Sequence, residues 1–152
     1  TEIIPLYLEQ KIKIPFQASH LPFLVNFKGI IDRVDRRNGV LHIIDYKTGI
    51  VEETDVRIKD WENLITDIKY GKAFQLLTYA YMITQHFKID EPMIVANLSF
   101  KRLQKGFLRF HTYIDKVKNY DVTTQTLALY SQYAEQLLQE IFDIKRPFYE
   151  KV

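Results

Sequence analysis

The chain has 152 residues, 47% hydrophobic and 14% aromatic, enough for one globular domain with a sizeable core. Its net charge is only +2, which by itself demands no polyanionic partner, and the lack of cysteine excludes disulfides, thiolate zinc sites, cysteine nucleophiles and a thiolate-held cluster within the chain. No apolar run approaches the roughly 18 residues of a membrane span and no signal-peptide pattern is present, so a cytoplasmic protein with no membrane partner is expected.

Residues 6–16 alternate: Leu6, Leu8, Ile12, Ile14 and Phe16 share one parity, Glu9, Lys11 and Lys13 the other, which predicts a strand with one wet face. Ala18 to Pro22 reads as a turn, and Phe23 leads into a long second strand. Asn38-Gly39, flanked by β-branched and apolar runs, predicts a two-residue hairpin turn. The third strand ends near Lys47, where Thr48-Gly49 breaks the pattern. Residues 50–60, with Glu52, Glu53, Asp55 and Asp60, read as a mobile loop, followed by a short helix from about Trp61 to Ile68. After an interruption at Tyr70-Gly71-Lys72, the stripe of Leu76, Leu77, Ala80, Tyr81, Ile83, Thr84 and Phe87 predicts a helix over 73–87. Strands are expected at 93–101 and 107–114, joined by a Lys105-Gly106 turn. Asp121 is expected to cap a helix over 122–142, with Pro147 ending whatever remains. Three strands, a helix, two strands and a helix make one mixed α/β domain.

The hairpin carries the chemistry. If Asn38 and Gly39 are the central residues of a type I′ turn, Arg37 pairs with Val40, and the same register sets Asp32 opposite Asp45. Such residues share a face, with Cβ atoms about 4.5–5.5 Å apart, and like charges there are destabilising. Alternation places Asp32 between Ile30 and Val34 and Asp45 beside Ile43 and Leu41, an apolar setting in which two carboxylates need a cation, a shared proton or a base. Lys47, two residues beyond Asp45, projects from the same face. Two carboxylates and an ammonium suit a hard divalent metal and a polarised water. The plainer alternative, surface ion pairs of Asp32 with Arg33 or Lys28 and of Asp45 with Lys47, conflicts with the alternation, which turns Arg33 to the opposite face.

Gly-x-x-Asp, thirteen residues and then Asp-Tyr-Lys-Thr-Gly, followed by a helix bearing Gln75-x-x-x-Tyr79, resembles the PD-(D/E)XK nuclease superfamily. It is most similar to the RecB/AddB-like branch, which also includes the CRISPR-associated exonucleases. The likeness covers nearly the whole chain. It implies a restriction-endonuclease-like α/β core, a mixed sheet of about five strands flanked by helices. It also implies that Asp32, Asp45 and the Tyr46 backbone carbonyl hold Mg²⁺ or Mn²⁺, that Lys47 orients or activates the attacking water, and that Gln75 and Tyr79 position substrate or water. The implied activity is metal-dependent hydrolysis of DNA phosphodiesters, as an exonuclease in repair or recombination beside a helicase domain or subunit. The alternative is a non-catalytic DNA-binding or scaffolding module that keeps the fold. The family pattern includes an upstream helix with a Glu or His ligand, and some members carry iron–sulfur cysteines after the last helix. Only five residues precede the first strand here and no cysteine is present, so a domain excised from a longer chain is expected, and in isolation it would bind metal weakly or be inactive.

Basic residues gather at Arg36-Arg37, at Lys101-Arg102 with Lys105 and Arg109, and at Lys116 and Lys118, several beside Phe100, Phe107 and Phe110. Arg36, Arg37, Lys101, Arg102, Lys105 and Arg109 are candidate DNA-phosphate contacts; a solvated face is the plain alternative. Asp35, opposite His42, is expected to form an Asp–His pair, and Arg33 to meet Glu9. His20, His86 and His111 lack ligand spacing and read as structural, and Tyr130 and Tyr133 as core.

Overall fold

The computed structural model describes residues 1–16, 18, 21–143 and 145. In chain order it has β1 (Ile3–Phe16), β2 (Val25–Arg37), β3 (Val40–Lys47), β4 (Arg57–Ile58), α1 (Gly71–Phe87), β5 (Met93–Ser99), β6 (Phe107–Arg109), β7 (His111–Ile114), β8 (Val117–Asn119) and α2 (Thr124–Ile141). The main sheet is mixed, with order β1-β2-β3-β5-β6, and β4-β7-β8 form a smaller one. Within the main sheet β1, β2 and β3 are antiparallel neighbours, β3 and β5 run parallel, and β6 returns antiparallel to β5. This is the restriction-endonuclease-like arrangement of a five-stranded sheet with flanking helices.

The core lies where α1 crosses β1, β2, β3 and β5. Ala73, Leu76, Leu77, Ala80, Met82 and Ile83 bury the inner face of α1 against Ile12, Ile14, Ile31, Ile43 and Val95. Spacings of three and four along α1 put these side chains on one stripe, and their burial drives docking at roughly 25 cal/mol per Å². The second helix joins this core through Tyr130, which is buried against Phe74 and Tyr81 and shares a 2.7 Å hydrogen bond between its hydroxyl and Thr78 Oγ1. Burial pushes the Tyr130 phenol well above its ordinary value, so it remains a neutral hydrogen-bonding group.

The hairpin register is as the turn chemistry predicts. Asn38 and Gly39 take φ of 49° and 82°, the left-handed pair a type I′ turn requires, and Arg37 pairs with Val40 through to Arg33 with Ile44. The turn is tied further by the Asn38 N–H donating to the Glu2 carbonyl (2.9 Å) and the Glu2 N–H donating to Asn38 Oδ1 (3.0 Å).

The alternation along the first two strands is not uniform. Ile12, Ile14 and Phe16 are buried against α1, but Leu6 and Leu8 are exposed, and Tyr7 instead stacks on Phe87 of α1. In β2 the inward set is Phe27, Gly29 and Ile31, then Val34, with Ile30 half-exposed on the other side. The phase slips by one residue between Ile31 and Asp32, beside Glu9, whose φ of 50° breaks the pleat of β1. The expected flank of Ile30 beside Asp32 is therefore wrong, and Ile31 takes that place.

Other expectations need correction. Residues 50–60 are not a loose loop: Val51, Val56 and Ile58 are fully buried, residues 53–56 form a 3₁₀ turn, and β4 pairs in parallel with β7. The short helix expected from Trp61 is two 3₁₀ turns, Trp61–Asn63 and Ile68–Tyr70, each with an aspartate side chain accepting at its start. Strand 107–114 divides at the buried Phe110 into β6 and β7, which belong to different sheets. Helix α2 is capped not by Asp121 but by Thr123, whose hydroxyl accepts from the Thr126 N–H, while Val122 bridges to Met93 in the main sheet. The expectations for His20 and Pro147 lie outside the described residues.

Candidate functional site

The β2–β3 ladder stops at Arg33–Ile44, and the next position belongs to Asp32 and Asp45. Asp32 replaces the missing rung with its side chain: the Tyr46 N–H donates to Asp32 Oδ2 at 2.8 Å. Asp45 is 5% exposed and lies 3.0 Å from Lys47 Nζ, its neighbour two residues along the same face. Lys47 Nζ also donates to Gln75 Oε1 at 2.6 Å, and Gln75 Nε2 donates to the Tyr79 hydroxyl at 3.1 Å. Gln75 and Tyr79 are one helical turn apart on α1, so the helix lays both over the ends of the carboxylate strands. Four of the five side chains named from the sequence thus form one chain of contacts, and Asp32 is held beside it by the Tyr46 N–H.

Gly29 sets how closely α1 approaches. A Cβ there would lie 3.4 Å from Met82 Cε and 3.5 Å from Tyr79 Cε1. A methyl group fits at contact distance, but a larger side chain would push Tyr79 away from the site.

The electrostatics follow from burial. Loss of water raises the Asp45 carboxyl above its ordinary value; Lys47 opposes that rise and the adjacent Asp32 adds to it. The Tyr79 phenol is raised too, first by burial and then by the negative charge of Asp45 and Asp32. Tyr79 therefore keeps its proton at neutral pH and can donate a hydrogen bond toward the carboxylates' side of the site.

Among the described residues, no group of three or more His, Asp or Glu side chains is gathered as a metal cage. A magnesium-type ion does not need one: it takes one or two carboxylates and fills its other positions with water and substrate oxygens. Asp32 and Asp45 offer hard oxygen donors, and Asp45 Oδ2 is buried without a well-aligned hydrogen bond. A cation between them would relieve the mutual repulsion that raises Asp45. The donor set fits such an ion.

The back face of β2 is structural. Asp35 is fully buried, with Arg33 Nε at 2.8 Å and Arg37 Nε at 2.9 Å. This corrects two expectations: Asp35 does face His42 in register, but its charge goes to two guanidiniums on its own strand face, and Arg33 meets Asp35 rather than Glu9. His42 Nδ1 instead lies 2.9 Å from the Val40 carbonyl oxygen. Arg33 is held above its ordinary value chiefly by a hydrogen bond to the Tyr46 side chain.

Most of the basic candidates have partners within the chain. Arg36 forms a two-pronged pair with Glu91 (2.9 Å each), and Arg37 lies over the Phe107 ring at 4.3 Å. Arg102 and Lys105 reach Glu52 at 2.5 and 2.8 Å, and Arg109 stacks on Tyr120 at 3.8 Å. Lys101 is exposed on the 3₁₀ segment Phe100–Lys105, which starts where β5 ends alongside Lys47.

Two polar residues were missed in the sequence. Ser99 is paired with Lys47 in register, and its hydroxyl donates to the Gly49 carbonyl at 2.6 Å, fixing the chain just after the Asp-x-Lys triplet. Asn97, fully buried, is paired with Asp45. The available signal was the appearance of Asn and Ser in an otherwise apolar strand, Met93-Ile94-Val95-Ala96-Asn97-Leu98-Ser99.

Comparison with individual curated proteins gives no match. A family model described as the PD-(D/E)XK nuclease superfamily matches residues 3–151. That span includes both carboxylate strands, the lysine and the helix that covers them, and the chain belongs to the PD-(D/E)XK nuclease superfamily.

Proposed function

We propose that this domain is a divalent-metal-dependent deoxyribonuclease of the RecB/AddB-like kind, acting on DNA ends in repair or recombination beside a helicase domain or subunit. The observation that supports it best is the continuous chain of contacts from Asp45 through Lys47 and Gln75 to Tyr79, with Asp32 held beside it. Mg²⁺ or Mn²⁺ held by Asp32, Asp45 and the Tyr46 carbonyl would supply Lewis acidity and a more acidic water.

The protein's own groups do the rest. Asp32 is fixed by the Tyr46 N–H, so its carboxylate needs little reorganisation to serve as a ligand. Lys47 brings a positive charge against the phosphate and orients the attacking water, while Gln75 fixes the ammonium. Tyr79, still protonated, holds Gln75 in the orientation that accepts from Lys47. The cations of the Phe100–Lys105 segment flank the site and serve DNA phosphates by exchanging Glu52 for the backbone.

Incubating linear and circular DNA with the protein and Mg²⁺, Mn²⁺ or EDTA tests the reading. Cleavage of linear DNA that requires metal and falls roughly 10²–10³-fold in Lys47→Ala is expected; RNA, run in parallel, should be spared. Metal-dependent cleavage absent from both this chain and a version extended at both ends would overturn it in favour of a DNA-binding module. Lys105→Ala is expected to weaken DNA binding without sequence preference and to make its salt dependence shallower by about one counterion.

A further inference from the structure

Among the described residues, Asn97 is the one buried side chain whose two polar atoms, Oδ1 and Nδ2, both lack a hydrogen-bond partner. A buried amide left so is destabilising, which is why such groups are rare and call for a reason. Packing supplies none: Val95, two residues earlier on the same face, is an ordinary core residue.

Its position supplies one. In the parallel β3–β5 pair Asn97 is the register partner of Asp45, so the two side chains stand next to each other on the face covered by α1. On its other side Asn97 pairs with Leu108 of β6, which offers no polar group. Ser99, the next residue on that face, has its hydroxyl committed to Gly49. The charged neighbour in register is Asp45, whose Oδ2 is itself buried without a well-aligned hydrogen bond.

We propose that Asn97 is a positioning residue for Asp45: its amide N–H is the donor that holds the Asp45 carboxylate once that carboxylate turns from Lys47 toward a bound divalent cation. This rests on the reading of Asp32 and Asp45 as cation ligands. In this structure the ammonium of Lys47 lies 3.0 Å from Asp45 Oδ2 and the amide is left over. In the loaded protein the ion competes with Lys47, Asp45 needs a neutral donor that adds no charge against the ion, and a primary amide in the adjacent strand is such a donor. Outer partners of this kind are worth about 10–100-fold in metal affinity.

The test is titration of the chain with Mn²⁺ alone by isothermal calorimetry, with thermal melts of the metal-free proteins, for wild type and Asn97→Leu, Asn97→Ser and Asn97→Ala. Asn97→Leu is expected to melt at or above the wild-type temperature without metal, because it removes an unpaired amide, yet to bind Mn²⁺ at least tenfold more weakly. Asn97→Ser, which keeps a donor, should bind more tightly than Asn97→Ala; this comparison decides the matter if the leucine variant does not fold. Wild-type affinity in Asn97→Leu, or equal affinity in the serine and alanine variants, overturns the inference while leaving the nuclease reading in place. No Mn²⁺ binding by the wild type, either as this chain or as a version extended at both ends, overturns both.

Discussion

Asp45 carries a conflict between stability and chemistry. Its carboxyl is raised above 3.8, mainly by burial, so the folded protein disfavours the charged form that prevails in the unfolded chain. That penalty is present in full above the folded-state pKa and fades as pH falls toward 3.8. Asp45→Asn is therefore expected to raise the metal-free Tm at pH 7 by about 2–4 °C per kcal/mol of penalty removed, and to give no gain near pH 4. Divalent metal should raise the Tm of wild type but not of this variant. Calorimetric scans at the two pH values, with and without Mn²⁺, check both outcomes. The facing of Asp32 and Asp45 was legible because a two-residue turn of Asn and Gly permits one register, and every later pair follows from it. The leftover amide of Asn97 was not, since nothing local says which strand lies beside β3.

At the scale of elements, α1 ends on Lys88, at φ 55° and ψ 49°, with its N–H donating to the Thr84 carbonyl. Left-handed backbone costs a residue with a Cβ roughly 1–2 kcal/mol, and glycine avoids most of it. Lys88→Gly is expected to stabilise the protein by about 1 kcal/mol, a Tm rise of roughly 2–4 °C, without altering metal binding. A melt unchanged or lowered would show that the lysine side chain contributes more than the backbone strain takes away. Helix α1 was readable from its stripe of apolar residues. Segment 50–60 was misread because Val51, Val56 and Ile58 follow no single period, and the acidic residues among them look like a solvated loop until β7 provides a strand to pair with. Phe110 likewise sits in an unbroken β-like run, and only the two sheets' positions explain the break there.

Across the whole molecule, acidic side chains of that segment join it to distant basic ones: Glu52 to Arg102 and Lys105, and Glu53 to Lys118. Both glutamates are lowered from 4.5, each chiefly by a hydrogen bond from its lysine (Lys105 and Lys118), so their contribution is present above that value and is lost as pH falls through the lower folded-state pKa. Amide exchange in residues 50–60 is expected to accelerate below about pH 4 more than exchange in α1, after correction for intrinsic rates. Uniform protection across the two regions would show that the buried valines alone hold the segment.

The phase slip beside Glu9 bears on any attempt to reuse this site. It allows Ile31 and Asp32, consecutive in the chain, both to face the helix, with Gly29 beneath Tyr79. Grafting the acidic pair onto an ideally regular ribbon would swing Lys28 and Ile30 under that helix, wedging a lysine where a glycine belongs. A transplant would have to copy the irregularity along with the ligands.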